Sequence, residues 1–334
     1  MKAAYFTHCG APEVIEYGDV PLPIPGRGEV LVKVMAASVN PIDTYIRSGK
    51  VRASLAAKQI PGSDLAGIVE STGPGCVQFR PGDRVWCSNQ GLFGLQGTCA
   101  EYCAVAEQWL YAIPDGVDFQ TAAASAMVGL TAHLGLFLHG GLASGEVVFV
   151  NGGTGGVGSA VLQLAVAAGA TVITTVGSPA KAEICRQLGA TAVIQYRTDD
   201  IDQRFQEILS TTGSINLWFE TLRTPSLDRC IALMAKRGRL ILMAGRDARP
   251  EFPMGPFYTR DLRALGFAMF NASAEEQRAA AESLNQQLKT GAWKPLIGRC
   301  LPLSRTAEAH RIQESGTIDG SAELMGKIVL IPDA

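Results

Sequence analysis

The residues best placed to do chemistry lie in one stretch, Glu146 to Ala180, which reads "EVVFVNGGTGGVGSAVLQLAVAAGATVITTVGSPA". An apolar run, Val147 to Val150, gives way to Gly152, Gly153, Gly155, Gly156 and Gly158. Helical periodicity then resumes through Val161, Leu162, Leu164, Ala165 and Ala168, and a second apolar run follows from Val172 to Val176. Strand, glycine turn, helix and strand make a βαβ unit, with Gly153, Gly155 and Gly158 on the spacing G-x-G-x-x-G. One glycine makes the tight turn, the second lets backbone approach a pyrophosphate, and the third lets helix and strand pack closely. The helix N-terminus then presents unpaired N–H groups and a positive dipole end to the phosphates. The chemistry implied is dinucleotide binding; a glycine-rich structural turn is the plainer alternative.

The type of dinucleotide is read at the end of the second strand. An NAD site places an acidic residue there, roughly 20 residues on, to accept the ribose 2′-OH. Here the strand ends "TVGSPAK", Thr175 to Lys181, and the first acid is Glu183, already in the next helix. A carboxylate would repel a 2′-phosphate, whereas Ser178 donates a hydrogen bond and Lys181 supplies charge. The expectation is NADPH, with Lys181 as an ordinary solvated helix residue the alternative.

These residues need a frame, and 334 residues suit two domains better than one. With 47% hydrophobic and 18% charged residues and a net charge of −2, the composition is that of a soluble globular protein. It has no surplus of positive charge to drive nonspecific binding to nucleic acid or anionic membranes. The uncharged run from Val147 to Ala180 is long enough to span a bilayer, but five glycines and a change of period mark it as the buried centre of a parallel sheet. The N-terminus carries no apolar segment followed by a cleavage site, and a cytoplasmic location is expected. The eight cysteines lack C-x-x-C spacing and read as free thiols. Cys99 and Cys103 fall on one face of a strand with no histidine near in sequence, so no metal is expected there.

Residues 1 to about 123 read as β-rich, with Pro-Gly turns at 25–26, 61–62, 74–75 and 81–82. They suggest a compact barrel. From 124 to 265 helices and strands alternate: helix 178–190 closed by Gly189, strand 191–196, helix 199–209, strand 215–220, helix 225–236 and strand 239–245. This is the rhythm of an α/β, Rossmann-type, doubly wound parallel sheet. A strand at 263–270, an amphipathic helix at 273–291 and a strand at 326–332 follow. The expected division is a discontinuous first domain, 1–123 with 266–334, around a dinucleotide-binding domain, 124–265.

Several motifs now carry a resemblance. "NPIDTYIRSG" (40–49), "PGSDLAGIVE" (61–70), "FRPGDRV" (79–85), "GGTGGVG" (152–158), "GAWKPLIG" (291–298), "AEAHRI" (307–312) and "GKIVLIP" (326–332) run from end to end of the chain. Together they resemble the zinc-independent quinone oxidoreductases of the medium-chain dehydrogenase/reductase superfamily, nearest the zeta-crystallin branch. The resemblance implies a GroES-like β-barrel catalytic domain plus a Rossmann domain, with the active site in the cleft between them. Zinc members of that superfamily carry Gly-His-Glu where this chain has Gly62-Ser63-Asp64. Their remaining catalytic ligands are similarly missing near "NPID" and at Met127. Without a thiolate and imidazole set, neither zinc nor zinc-polarised alcohol oxidation is expected.

The resemblance also assigns residues. Tyr45 matches a tyrosine lining the nicotinamide and substrate region, and Asn40 lies on the same loop; both are implied catalytic residues. The tyrosine would hydrogen-bond an acceptor oxygen as charge develops or stack on the nicotinamide. Thr154, Gly155, Gly156 and Val157 match the pyrophosphate turn, and Gly177, Ser178 and Lys181 the ribose-phosphate region. Tyr196 matches the adenosine end, and Met243, Ala244 and Gly245 the nicotinamide face. Phe267, Ala268 and Met269 match a further backbone contact, with an apolar edge strand as the alternative. Gly326 and Lys327 match a late cofactor contact, with Lys327 as a surface lysine the alternative. The segment 246–261 is rich in proline and aromatics and is expected to shape the substrate pocket; the four histidines are expected to be structural.

The function implied is an NADPH-dependent reductase of a quinone. A 2-alkenal or enone remains open as substrate, since both are planar conjugated carbonyls. A third reading, of another class, is a non-catalytic crystallin-like or RNA-binding protein that retains the dinucleotide site. The family also implies a homodimer or homotetramer, paired through the edge strand near 265–270.

Overall fold

The apolar runs of the chain fold into sheets of opposite character. The structure is a computed structural model describing residues 1–317 and 324–333. In the first part lie β1 (Lys2–Tyr5), β2 (Glu16–Asp19), β3 (Glu29–Val39), α1 (Pro41–Arg47), β4 (Asp64–Thr72), β5 (Arg84–Cys87), β6 (Tyr102–Ala106) and β7 (Leu110–Ala112). The middle holds α2 (Phe119–His133), β8 (Val147–Val150), α3 (Gly156–Ala167), β9 (Thr171–Val176), α4 (Pro179–Gln187), β10 (Ala192–Gln195), α5 (Ile201–Thr212) and β11 (Ile215–Glu220). It continues with α6 (Leu227–Leu233), β12 (Met234–Leu242), α7 (Met254–Tyr258), β13 (Arg263–Gly266) and α8 (Ala274–Thr290). The chain closes with β14 (Ile297–Pro302), α9 (Thr306–Thr317) and β15 (Lys327–Ile331). These elements group into two units: 1–127 with 281–289 and 295–334, and 128–280 with 290–294.

In the first unit, β3 is the spine. Its 11 residues pair along their length with β4, while Glu29–Lys33 pair with β6 and Ala37–Val39 with β15. Register shifts near Val32 and Ala36 bend the strand so that it can serve successive partners. The sheet runs β14-β15-β3-β4-β5-β7 and is antiparallel except for its β14–β15 pair. One face closes over a core of Val30, Val32, Val34, Leu65, Val85, Leu110 and their neighbours. Cys87, Cys99 and Cys103 are buried in that core as free thiols, and burial raises all three pKa values.

The second unit is a six-stranded parallel sheet in the order β10-β9-β8-β11-β12-β13. That is the doubly wound order, with its switch point between β8 and β11, and the strands read as continuous apolar runs because both faces are covered. Helix α3 is buried almost all round, from Gly158 to Ala165. Phe149 lies between Phe205 and Trp218, with ring centroids 5.2 and 4.0 Å away. The helical run Phe119–His139, wound more widely as a π-helix from Leu134, has the length and apolarity to cross a membrane, but 78% of its most apolar window is buried in the fold.

Two strands differ from the sequence reading. β12 starts at Met234, cutting short the expected helix 225–236, and ends at Leu242. A backbone kink at Arg237, with φ of 62°, lets the four residues between Met234 and Arg239 fit opposite the single residue Asn216 of β11. β13 stops at Gly266, so Phe267–Met269 lie beyond the strand and Met269 opens a 3-10 turn. Residues 266–280 pack with the parallel sheet rather than with the first unit, because β13 extends that sheet beside β12.

Arg239 on β12 fastens the start of the switch-point strands. Its guanidinium forks onto both Glu146 oxygens at 2.7 Å, and its Nε donates to the Gly140 carbonyl at 2.7 Å. Those hydrogen bonds hold the Glu146 carboxyl below the usual carboxylate range. A lowered folded-state value means the stabilisation is present above the unfolded value, about 4.3, and is lost as pH falls through the folded one. Arg239→Gln is expected to lower stability by about 2 kcal/mol at neutral pH. Urea unfolding at pH 7 and pH 4 should show the gap between variant and parent shrinking at the lower pH.

Candidate functional site

In the second unit, the residues singled out by spacing gather at the carboxyl ends of the parallel strands. β8 ends at Val150, the chain turns through Asn151 to Thr154, and Gly155 caps α3. A Cβ on Gly158 would lie 2.1 Å from the Gly152 carbonyl oxygen, and one on Gly153 would lie 2.4 Å from Thr174 Oγ1. Both contacts are closer than any side chain tolerates, so the tight turn and the close helix–strand packing are requirements of this backbone. Thr154 is buried, Gly155 is exposed, and Gly156 and Val157 are half-buried. The open face of the turn is therefore peptide backbone at a helix N-terminus, the arrangement that suits an anionic diphosphate.

A basic cradle lies beside it at the end of β9. Ser178 caps α4, its hydroxyl oxygen accepting the Lys181 amide at 3.4 Å. The Tyr196 hydroxyl and Arg197 Nε lie 2.5 and 3.5 Å from where a Cβ would sit on Gly177. The Lys181 ammonium is pushed below its ordinary pKa, first by burial and then by the Arg197 charge. Two cations, a phenol and a capping hydroxyl thus share one small region, while the nearest acid in sequence, Glu183, is exposed and paired with Arg186 at 3.3 Å. Arg197 was not singled out from the sequence, although its place directly after Tyr196 at a strand end was a usable signal.

The remaining expected contacts of this unit also follow strand ends. Met243, Ala244 and Gly245 leave β12 half-buried, and the Gly245 carbonyl accepts the Ala248 amide at 2.9 Å. Phe267 rests on the His139 ring with centroids 4.7 Å apart, Ala268 is half-buried and Met269 is buried. Phe267 and Met269 thus serve packing, with their backbone following the end of β13.

In the first unit, Asn40, Tyr45, Gly326 and Lys327 belong to one polar cluster and its rim. Pro41 starts α1, and the Asp43 carboxylate accepts the Asn40 amide at 2.8 Å, closing the helix entry. The Asn40 side chain donates to Asp64 at 2.8 Å and accepts from Lys327. Lys327 is buried, against the alternative of a surface lysine; its ammonium also donates to the Val39 carbonyl at 2.7 Å and lies 3.8 Å from Asp64. Asp64 itself accepts from Ser88 at 2.7 Å, Ser38 at 3.0 Å and the Met127 amide at 3.3 Å. Ser63 donates to Asp43. Tyr45, half-buried, rides on α1 one turn beyond this cluster. Asn40, with both ends of its amide engaged inside the unit, holds the loop.

Burial dominates the titration of these groups. It pushes Asp43 up to about 7, opposed by the Ser63 and Asn40 hydrogen bonds. It pushes Lys327 down, opposed by the charges of Asp64 and Asp43. Among the described residues no three His, Cys, Asp or Glu side chains converge as a metal-ligand set.

Comparison with known proteins gives the chain its relatives. Residues 26–115 match the alcohol dehydrogenase GroES-like domain, and residues 156–286 match the zinc-binding dehydrogenase family. The chain is similar to a human quinone oxidoreductase, 32% identical over 99% of this chain and 98% of the relative. It is similar to an NADPH-dependent alkenal/one oxidoreductase of Arabidopsis thaliana, 28% identical over 99% of this chain and 80% of the relative. The structure of an Escherichia coli quinone oxidoreductase complexed with NADPH superposes with a TM-score of 0.86 at 26% identity, over 99% of this chain and 100% of the other.

Asp43 provides a test of the buried cluster. A raised folded-state value means the folded protein holds a proton that the unfolded chain releases near pH 4. The stability it contributes is present below that pH and is lost as pH rises through about 7. Asp43→Asn should flatten the fall in stability between pH 4 and 7, as read by urea midpoints across that range.

Proposed function

The chain belongs to the medium-chain dehydrogenase/reductase superfamily, in its quinone oxidoreductase type, and on that premise we propose that it reduces a planar conjugated acceptor, a quinone in the first place, with NADPH and without zinc. The observation that carries the cofactor choice is the basic cradle at the end of β9: Lys181 and Arg197 stand where an NAD site sets a carboxylate. Two neighbouring cations repel each other, and a 2′-phosphate relieves that repulsion while accepting from Ser178 and Tyr196. The backbone of Thr154, Gly155, Gly156 and Val157 at the start of α3 holds the pyrophosphate. Bound NADPH supplies the reducing equivalents through its nicotinamide.

Zinc independence rests on donor chemistry. At Gly62-Ser63-Asp64 the side chains offer a hydroxyl already given to Asp43 and a carboxylate already ringed by donors. A resident ammonium, Lys327, lies 3.8 Å from that carboxylate. A zinc ion there would meet a like charge and no imidazole, and the thiols nearby, Cys87 and Cys99, are held protonated by burial. The chain's own contribution to chemistry is then positional. Asn40, Asp43 and Lys327 fix the start of α1, and α1 carries the Tyr45 phenol, whose hydroxyl can donate to an acceptor oxygen as negative charge develops.

The similarity to an alkenal/one oxidoreductase supports a second substrate class, the activated C=C bond of an enone. Initial rates of NADPH consumption with a panel of quinones and enones separate the two; turnover of enones alone would overturn the quinone reading. For the cofactor, Lys181→Ala and Arg197→Ala should each weaken NADPH about tenfold or more, the worth of one charge-assisted hydrogen bond, and leave NADH within about twofold. Equal affinity of the parent for both cofactors would refute the preference. Tyr45→Phe should lower kcat while leaving NADPH affinity unchanged.

A further inference from the structure

Beneath the glycine turn, one buried carboxylate ties three strand ends together. Glu220 is the last residue of β11, and only donors meet it: Asn151 Nδ2 at 2.8 and 2.9 Å, the Leu222 amide at 2.8 Å, Trp218 Nε1 at 3.1 Å and Cys230 Sγ at 3.8 Å. Because a carboxylate only accepts, Asn151 must turn its NH2 toward it. Its Oδ1 is thereby aimed at β9, where it accepts the Thr175 hydroxyl at 3.0 Å. With its proton committed, the Thr175 oxygen is left as an acceptor, and the Gly152 N–H donates to it at 3.1 Å. The polarity of every link follows from the first.

Gly152 is the hinge of the turn. Its φ is 67°, its carbonyl accepts the Gly155 amide at 2.9 Å, and the same carbonyl is the atom against which Gly158 packs. The Thr175 carbonyl accepts the Gly153 amide at 3.1 Å, and Thr221 Oγ1 donates to the Asn151 carbonyl at 2.9 Å, so the turn is held from both sides. We propose that Glu220, acting through Asn151 and Thr175, is a positioning residue that sets the phosphate-binding conformation of the glycine turn. The cofactor side of this inference rests on the NADPH reading above.

Thr175→Val tests it, because valine keeps the shape and β-branching while removing the hydroxyl that makes two of the links. The expected result is NADPH affinity weakened about tenfold by calorimetric titration, the worth of the two lost bonds. Affinity for adenosine 2′-monophosphate, which reaches only the Ser178–Lys181 end, should change less than about twofold on the same scale. Amide exchange in the peptide 147–158 should quicken in the cofactor-free protein, and Thr175→Ser should restore all three readouts. Glu220→Gln, which sets an NH2 among donors, should move them in the same direction. A merely structural role would lower Tm and leave the ligand affinities of the folded protein untouched. The proposal is overturned if Thr175→Val binds NADPH like the parent, or if adenosine 2′-monophosphate weakens in parallel. Should the parent bind no NADPH, the functional reading fails by itself, and exchange at the turn still decides whether the relay holds it.

Discussion

A carboxylate taken out of water must be surrounded by donors or it will not stay charged. Each unit of this protein is organised around one such group. In the first it is Asp64, ringed by Ser38, Asn40, Ser88, the Met127 amide and the ammonium of Lys327. In the second it is Glu220, ringed by Asn151, Trp218, Leu222 and Cys230. The donors come from different strand ends and loops, so satisfying the charge fixes the loops with respect to each other. What faces solvent at the glycine turn and at α1 is set from below.

The sequence disclosed what depends on short-range pattern. The glycine spacing, the βαβ unit and the absent acid after β9 are all local, and each corresponds to an element where it was expected. The two buried carboxylates left no such trace. Glu220 meets Asn151 across 69 residues, and Lys327 meets Asn40 across 287. Read alone, a glutamate ending a strand and a lysine opening one look like surface residues. Strand limits were obscured for another reason: the hydrophobic run after Arg263 continues past Gly266, but its later apolar residues fill space beside His139 instead of a ladder.

Arg197 marks the boundary between these cases. It is adjacent to Tyr196 in the chain, yet its meaning comes only from Gly177 and Lys181, which β9 and β10 bring beside it through their parallel pairing. A lone exposed arginine carries little information; one that depresses a neighbouring lysine does. The same lesson applies to Asn40. The sequence put it on the right loop, and only its partners reveal that its amide is turned inward to hold that loop.

The pairing of β15 with β3 has a consequence for biosynthesis. The parallel-sheet unit is built almost wholly from one continuous stretch, 128–280, whereas the barrel unit waits for strands near the end of the chain. As the polypeptide leaves the ribosome, β3 and β4 emerge early, with Asp64 opening β4, but the cation that neutralises it arrives only with β15. The Rossmann unit can therefore complete itself while the first unit is still an open sheet with an exposed edge. For that interval the nascent barrel, with its apolar face and its vacant edge beside Val39, is the part of the molecule most in need of protection from its neighbours.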